Sequence, residues 1–290
     1  MPADEQKNKS RSIPRVVLIA LGIVGMVVAV LLAVLLLPTP EDKSGSPNAE
    51  RIDTLYRWGI ALGTIIFVIV EGVLIYSLIK FRARRGGPEP AQIRGNTTLE
   101  VSWTVGAALF LVILTTVTFI YLDDIESPQA SKPDAQLSGL KFAALDQGTV
   151  PGGKKMTVRV NGQQYLWRYD YNEPGEPPLF SYHDLYVEAG TTVVLKITSS
   201  DVVHSWWIPE LGPKSDATPG HTNDTWFRID KPGEYLGECA ELCGDNHADM
   251  RARVIALPKD EFTAWQERQA ADIKKSQAYL SLQRKVRGEN

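Results

Sequence analysis

Cysteine is scarce in this chain, with two residues among 290, and neither belongs to a Cys-Xaa-Xaa-Cys-His segment. The absence of that segment excludes a covalently attached c-type haem. No cysteine stands at the end of the N-terminal apolar run, which excludes a lipid-modified N-terminus. An excess of basic residues is also missing, since the net charge is −3. We therefore expect no nucleic-acid partner.

Long apolar runs are confined to the first half of the chain, at residues 16–37, 58–79 and 103–122. A helix needs about 20 apolar residues to cross the hydrocarbon core, so each run predicts a transmembrane helix. Glu71 lies inside the second run, where an ionisable side chain is costly. We interpret it as a protonated or hydrogen-bonded contact with a partner helix in preference to a proton carrier.

The first apolar run has two interpretations. Basic residues precede it at positions 7, 9, 11 and 15, as in a signal peptide. The run is long, however, and it ends in Leu-Pro-Thr-Pro without a small-Xaa-small cleavage site. We favour a retained membrane helix over a cleaved signal.

The connection between the second and third runs sets the orientation in the membrane. Residues 80–94 contain five Lys and Arg residues against one acid, Glu89. Cytoplasmic loops carry such a basic excess, so this connection is predicted to be cytoplasmic. The third helix then exits on the opposite side, and everything after residue 122 is predicted to be extracytoplasmic.

From about residue 149 to residue 258 the pattern is typical of β-structure. Residues 156–160 and 193–197 alternate apolar and polar side chains, and residues 225–229, 234–237 and 250–257 add further strands. Turn signals at 151–153, 188–190, 218–220 and 231–233 separate them. Short strands at regular spacing indicate a sandwich or barrel. The charged, Ala-rich tail predicts a helix at residues 261–285.

The chain is thus predicted to have four parts, which are an N-terminal membrane segment with linker (1–57), a transmembrane hairpin (58–122), an extracytoplasmic β domain (123–258) and a helical tail (259–290).

Both cysteines lie in one short segment together with other soft donors. Cys239, Cys243, His247 and Met250 fall within twelve residues, and His204 lies in a separate segment upstream. Thiolate and imidazole suit zinc as well as copper, but a thioether favours copper. Two thiolates allow two copper ions to share both sulfurs, each ion taking one histidine and one weak outer ligand. A disulfide remains an alternative for an extracytoplasmic pair of cysteines.

These two segments closely resemble subunit II of cytochrome c oxidase, the copper-bearing subunit of haem–copper respiratory oxidases. The resemblance covers most of residues 50–258, and its most specific parts are Asp-Xaa-Xaa-His-Ser-Trp at 201–206 and Cys-Xaa-Xaa-Xaa-Cys-Xaa-Xaa-Xaa-His-Xaa-Xaa-Met at 239–250. In this family they build a dinuclear copper centre, called Cu-A, on a cupredoxin domain. The resemblance therefore implies N-terminal transmembrane α-helices followed by an all-β, cupredoxin-like Greek-key sandwich or barrel.

The resemblance also implies roles for individual residues. The side-chain ligands of copper would be His204, Cys239, Cys243, His247 and Met250. Glu241 would bind copper through its backbone carbonyl, and its carboxylate would face a magnesium ion shared with subunit I. Glu100, in Leu-Glu-Xaa-Xaa-Trp-Thr, matches the family glutamate near the entrance of a proton channel in subunit I. Independently of the resemblance, Glu100 is an acidic residue at the start of a predicted helix, where the helix dipole favours a negative charge.

One segment departs from the family pattern. Gly162-Gln-Gln-Tyr-Leu-Trp167 stands where the family usually has Gly-His-Gln-Trp-Tyr-Trp. Tyr165 therefore replaces the tryptophan thought to accept the incoming electron, and we expect electrons to enter at Tyr165 or Trp167.

The resemblance implies an electron-accepting subunit that takes electrons from cytochrome c, or a cytochrome c domain, and passes them to subunit I for oxygen reduction coupled to proton translocation. It would be part of an enzyme but not catalytic alone, and it would lie in a bacterial-type plasma membrane with other oxidase subunits. Residues 123–258 contain 20 acidic and 12 basic residues, which suits a cationic donor. The alternatives are a metal-free structural subunit of a related quinol oxidase and a membrane-tethered copper-delivery protein.

Overall fold

The computed structural model describes residues 15–36, 45–82, 89, 91–127 and 154–288, with side chains from residue 22 onward. The helices are α1 (Arg15–Leu36), α2 (Pro47–Lys80), α3 (Thr97–Glu126) and α4 (Lys259–Val286). The strands are β1 (Lys155–Gln163), β2 (Leu166–Asp170), β3 (Phe180–Tyr182), β4 (Asp184–Glu188), β5 (Thr191–Ser199), β6 (His204–Trp207), β7 (Ser215–Ala217), β8 (Asn223–Ile229), β9 (Gly233–Cys239) and β10 (Arg251–Leu257).

These elements belong to two compact units. The first contains α1, most of α2 and the start of α3, and the second contains the beginning of α2, the remainder of α3, every described strand and α4.

Among the described residues, α2 and α3 are long and apolar enough to cross a membrane. In α1 the part with described side chains, Gly22–Leu36, is apolar but shorter. Helix α3 begins with a local cap, because the Leu99 N–H donates to Asn96 Oδ1 and the Asn96 N–H donates to Glu100 Oε1. Such reciprocal contacts satisfy backbone N–H groups that have no partner within the first helical turn.

Within the second unit, the outer ends of α2 and α3 are joined to strand β8. Asn48 Nδ2 donates to the carbonyl oxygen of Trp226 at 2.7 Å, and Trp226 Nε1 donates to the carbonyl oxygen of Ile125 at 2.9 Å. Arg51 Nη1 donates to the carbonyl oxygen of Asp124 at 2.8 Å. The two helix ends are therefore tied to each other and to the sheet.

The ten strands form two five-stranded sheets, in the orders β3-β2-β1-β5-β8 and β4-β10-β9-β6-β7. Strand β1 runs parallel to β5, and β4 runs parallel to β10, while the other pairs are antiparallel. The alternating side chains of both sheets meet in one core that includes Trp167, Leu195, Phe227 and Val254. This arrangement confirms the predicted helices followed by a cupredoxin-like β sandwich.

Helix α4 packs on the edge of the sandwich near β3 and β4. Trp265 stacks on Tyr186 with ring centroids 4.6 Å apart, and Gln269 Nε2 donates to the carbonyl oxygen of Phe180 at 2.7 Å. The helix therefore covers one edge of each sheet, where unpaired backbone groups would otherwise be exposed.

The predicted strands at 156–160, 193–197, 225–229, 234–237 and 250–257 are confirmed as β1, β5, β8, β9 and β10, and the tail helix is confirmed as α4. Strands β2, β3, β4, β6 and β7 were not predicted. The predicted turn at 151–153 and the basic residues at 7, 9, 11, 84 and 85 lie outside the described residues.

Candidate metal centre

The loop between β9 and β10 begins directly after Cys239, the last residue of β9, and ends at Met250, which precedes β10. Its two ends are closed by the Cys239 N–H, which donates to the carbonyl oxygen of Met250 at 2.9 Å. The Ala240 N–H donates to the carbonyl oxygen of Ser205 at 2.8 Å, which joins this loop to β6. Because β6 begins at His204, these contacts bring a histidine from a distant segment beside the cysteines.

The potential donor atoms lie within one small cluster. Cys239 Sγ is 3.9 Å from both Cys243 Sγ and His204 Nδ1. Cys243 Sγ is 3.6 Å from His247 Nδ1 and 3.8 Å from Met250 Sδ. The carbonyl oxygen of Glu241 is 3.3 Å from Cys239 Sγ. The structure thus brings together the donor atoms of all six predicted ligand residues.

This geometry fits a soft metal held by both thiolates. The cysteines are free, and their sulfurs are 3.9 Å apart, whereas a disulfide bond measures about 2.05 Å. A metal–thiolate bond is about 2.3 Å long, so one ion between the two sulfurs can reach both. The donor set contains two thiols, two imidazoles and a thioether, which is the chemistry that copper accepts and hard cations do not.

The cluster is largely shielded from water. His204, Cys239, Cys243 and Met250 are buried, and His247 is half-buried. Burial, followed by the neighbouring Cys239, raises the pKa of the Cys243 thiol to about 11. A metal ion that binds here must therefore displace a thiol proton.

Asp201 orients His204 from outside the cluster. Its Oδ1 lies 2.8 Å from His204 Nε2, so the carboxylate stabilises the tautomer with hydrogen on Nε2 and leaves Nδ1 facing the sulfurs. Partial burial opposes ionisation of Asp201, but hydrogen bonds from the Gln164 N–H, His204, the Val202 N–H and Ser199 hold its pKa at about 2. Asp201 therefore stays charged across the physiological range.

The other predicted functional residues lie in different environments. Trp167 is fully buried with its ring 5.9 Å from that of His204. Tyr165 is half-buried, and its hydroxyl lies close to Gly244 in the cysteine loop. Glu241 has an exposed side chain. Glu100 lies in the first unit, where it caps α3.

Sequence reasoning missed the contacts made by Gln164 and the orienting role of Asp201. The Asp-Xaa-Xaa-His spacing is a signal that could have indicated Asp201, because it precedes a ligand by three residues. Gln164 carries no such signal, since its partner Cys243 is 79 residues away.

Acidic residues near the cluster differ in their surroundings. Glu234 and Glu238, on β9, form ion pairs with Arg253 and Arg251 on β10. Acidic side chains on the loop itself are exposed, at Glu241, Asp245 and Asp249, and the apolar Leu242 among them is 78% exposed. The exposed side chains of this loop therefore include three carboxylates and one large apolar residue.

Comparisons with known proteins match both parts of the chain. Residues 41–120 match the family model described as "Cytochrome C oxidase subunit II, transmembrane domain", and residues 179–257 match "Cytochrome C oxidase subunit II, periplasmic domain". "Cytochrome c oxidase subunit 2" of Alkalihalophilus pseudofirmus is 34% identical over 258 residues, covering 87% of this chain and 68% of that protein. "Probable cytochrome c oxidase subunit 2" of Rickettsia bellii is 32% identical over 238 residues, covering 76% of this chain and 80% of that protein.

Among solved structures, the periplasmic domain of subunit II of cytochrome oxidase of Bradyrhizobium japonicum is 29% identical to this chain. It aligns with a TM-score of 0.39, covering 43% of this chain and 99% of that domain.

Proposed function

The chain belongs to the cytochrome c oxidase subunit II family, and on that premise we propose that it is the subunit through which electrons enter the oxidase. As a family member it is a subunit of a haem–copper terminal oxidase, an oxidoreductase complex. It accepts electrons from cytochrome c and passes them to the haem-bearing subunit I, where oxygen is reduced and protons are translocated. The chain is not catalytic alone.

The donor cluster is the observation that carries this proposal. We propose that His204, Cys239, Cys243, His247 and Met250 hold a dinuclear copper centre through their side chains. Glu241 would join them through its backbone carbonyl, and its exposed carboxylate would face a magnesium ion shared with subunit I. When bound, such a centre supplies a one-electron carrier whose charge is spread over two ions. The chain contributes rigidity, because β6 and β9 fix the positions of His204 and Cys239.

The acidic loop supports a cationic donor, a cytochrome c or a cytochrome c domain. Glu241, Asp245 and Asp249 are exposed on this loop. The negative electrostatic field of such carboxylates speeds the approach of a basic protein at low salt. Electrons enter at Tyr165 or Trp167. Trp167 is fully buried, so the direct contact with the donor falls to Tyr165.

The membrane part supports an extracytoplasmic location for this chemistry. Two apolar helices anchor the chain, and the family's β domain is periplasmic. We propose a bacterial-type plasma membrane, assembly with subunit I and other oxidase subunits, and a role for Glu100 near the entrance of a proton channel in subunit I. The four-part division at residues 57, 122 and 258 remains a prediction.

The test is copper content and electron paramagnetic resonance of the full chain, purified in detergent and loaded with copper. Two copper ions per chain sharing one unpaired electron would support the proposal. A single labile ion would favour a copper-delivery protein, and no bound metal would favour a structural subunit. Cys243→Ser is expected to abolish the dinuclear spectrum, and an unchanged spectrum would refute the ligand assignment.

A matched pair of histidine variants tests the specificity of that result. His247→Ala removes an imidazole that lies 3.6 Å from Cys243 Sγ, whereas His221→Ala removes an exposed imidazole from the turn before β8. We expect loss of the dinuclear spectrum in the first variant and the wild-type spectrum in the second. Equal loss in both would show that the signal does not arise from the proposed cluster.

A further inference from the structure

The tip of the β1–β2 hairpin contacts both segments that carry the proposed ligands. Gln164 Nε2 donates to the carbonyl oxygen of Cys243 at 2.6 Å. The Gln164 N–H donates to Asp201 Oδ2 at 2.7 Å, and Asp201 Oδ1 lies 2.8 Å from His204 Nε2. A single residue therefore connects the cysteine loop to the carboxylate that orients His204.

Close packing accompanies these hydrogen bonds. A Cβ added to Gly244, which has φ of 133°, would lie 2.5 Å from the Tyr165 hydroxyl oxygen and 2.8 Å from Gln164 Nε2. A Cβ added to Gly162 would lie 3.0 Å from His204 Cδ2. The hairpin tip thus touches the cysteine loop on one side and the His204 ring on the other, with glycine at each point of closest approach.

The Gln164 side chain is important because the other contacts of the cysteine loop hold the ends of the loop and not its middle. Pairing of Trp206 with Cys239 fixes the first cysteine relative to β6. Cys243 and His247 lie further along the loop. Within the described part of the chain, residues 241–249 form one hydrogen bond to another segment, and its donor is the Gln164 side chain.

We propose that Gln164 is a positioning residue for the copper centre, an inference that rests on the proposed function. Its side chain holds the part of the loop that carries Cys243 and His247, and its backbone N–H holds Asp201 and, through it, His204. The hairpin tip thereby keeps the two ligand segments at a constant separation. A constant ligand geometry in both oxidation states is what rapid electron transfer requires.

The test compares Gln164→Met with Gln163→Met in the copper-loaded full chain. Methionine retains the length of glutamine but cannot donate a hydrogen bond, and Gln163 is the neighbouring residue of the same type. For Gln164→Met we expect copper loss to a chelator to be about 10- to 100-fold faster, as for other residues that orient metal ligands. We also expect a changed paramagnetic resonance spectrum and a shifted reduction potential. Gln163→Met should match the wild type.

Thermal unfolding of the metal-free chain separates positioning from general destabilisation. Because Gln164 is exposed, Gln164→Met should unfold at the wild-type temperature. A wild-type spectrum and copper-loss rate in Gln164→Met would overturn the inference. So would equal changes in both variants. If the wild-type chain itself gives no dinuclear spectrum, the proposed function fails first, and the two failures are distinguishable.

A double-mutant cycle with Asp201→Asn tests whether the two contacts act together. The amide group of asparagine would place a donor against the Gln164 N–H, or against His204 after a flip, so one link is lost in either orientation. If the hairpin tip bridges the two segments, breaking either link disconnects them. The double variant should then lose copper more slowly than the product of the single effects predicts. Multiplicative effects would refute a shared bridge.

Discussion

Replacing Gly237 with alanine should separate the two strands that carry His204 and Cys239. Gly237 lies in β9 beside the point where β6 pairs with that strand. A Cβ at this position would lie 2.1 Å from the carbonyl oxygen of Trp207 and 2.6 Å from Ile208 Cγ1. Ordinary contact begins near 3.4 Å. The nearest atom belongs to the backbone, so no side-chain rotation can relieve the overlap.

The size of the effect follows from this overlap. To reach ordinary contact, β6 must move away from β9 by about 1 Å or more, and overpacking of this kind costs about 1–3 kcal/mol of stability. The β6–β9 pairing consists of Trp206 with Cys239 and Trp207 with Glu238, next to Gly237, so the displacement acts directly on the contact that fixes the two ligands relative to each other. His204 Nδ1 is now 3.9 Å from Cys239 Sγ. A site built for one geometry tolerates errors of about 0.5 Å, so copper binding should fail before the fold does.

The assay is copper content per chain, measured beside thermal unfolding of the metal-free protein. Gly233→Ala provides the matched control, because it lies in the same strand and its added Cβ would have its nearest contact at 3.8 Å. We expect Gly237→Ala to fold with reduced stability and to bind less copper, and Gly233→Ala to bind the wild-type amount. A Gly237→Ala protein with wild-type copper content and spectrum would refute the argument that β6 and β9 fix the ligand separation.

Three further outcomes are expected. Met250→Leu replaces a fully buried thioether, 3.8 Å from Cys243 Sγ, by a side chain of similar volume. It should cost less than about 1.5 kcal/mol of stability in the metal-free protein and should shift the reduction potential in a redox titration. An unshifted potential would exclude Met250 as a ligand. Trp226→Phe leaves the carbonyl oxygen of Ile125 without its indole donor and should lower the free energy of unfolding, measured by chemical denaturation, by about 1–3 kcal/mol. An unchanged free energy of unfolding would show that the contact does not contribute to stability. The rate at which a cationic cytochrome c reduces the copper-loaded chain should fall as the salt concentration rises, and the rate of the Asp245→Asn variant should depend less on salt. Stopped-flow rates that are independent of salt would rule out electrostatic steering by the loop.

The parts of the fold that could be predicted are those with a local signal. The helices α2 and α3 follow from the length of their apolar runs, and β1 and β5 follow from alternation within the strand. Strand β6 could not be predicted, because His204-Ser-Trp-Trp207 is buried at three successive positions and shows no alternation. Its extended conformation comes from pairing with β7 and β9, which are distant in sequence.

The candidate site divides in the same way. Four of the five side-chain donors lie close together in one segment, so their spacing and chemistry alone indicate a soft-metal site. The fifth, His204, is identified as a ligand through a family motif. Gln164 could not be identified as a positioning residue, because an exposed glutamine has no distinctive sequence pattern. Its contacts depend on where two other loops lie in the fold. Residues that bind a metal directly are thus easier to predict than residues that hold the ligands in place.

The contacts between the helix ends and β8 affect how a water-soluble fragment of this protein should be designed. A cut just before residue 123 would keep Ile125, the acceptor for the Trp226 indole, but would remove Asn48, whose side chain donates to the Trp226 carbonyl oxygen and lies against Gly212. The cut would also remove Ser46, which accepts from the Arg228 N–H, and would leave backbone groups of β8 without these partners at an edge of the sandwich, where unpaired strands promote aggregation. A fragment that retains residues 45–55, fused ahead of residue 123 by a flexible linker, would keep these partners. The practical boundary of the soluble domain therefore lies inside the two membrane helices.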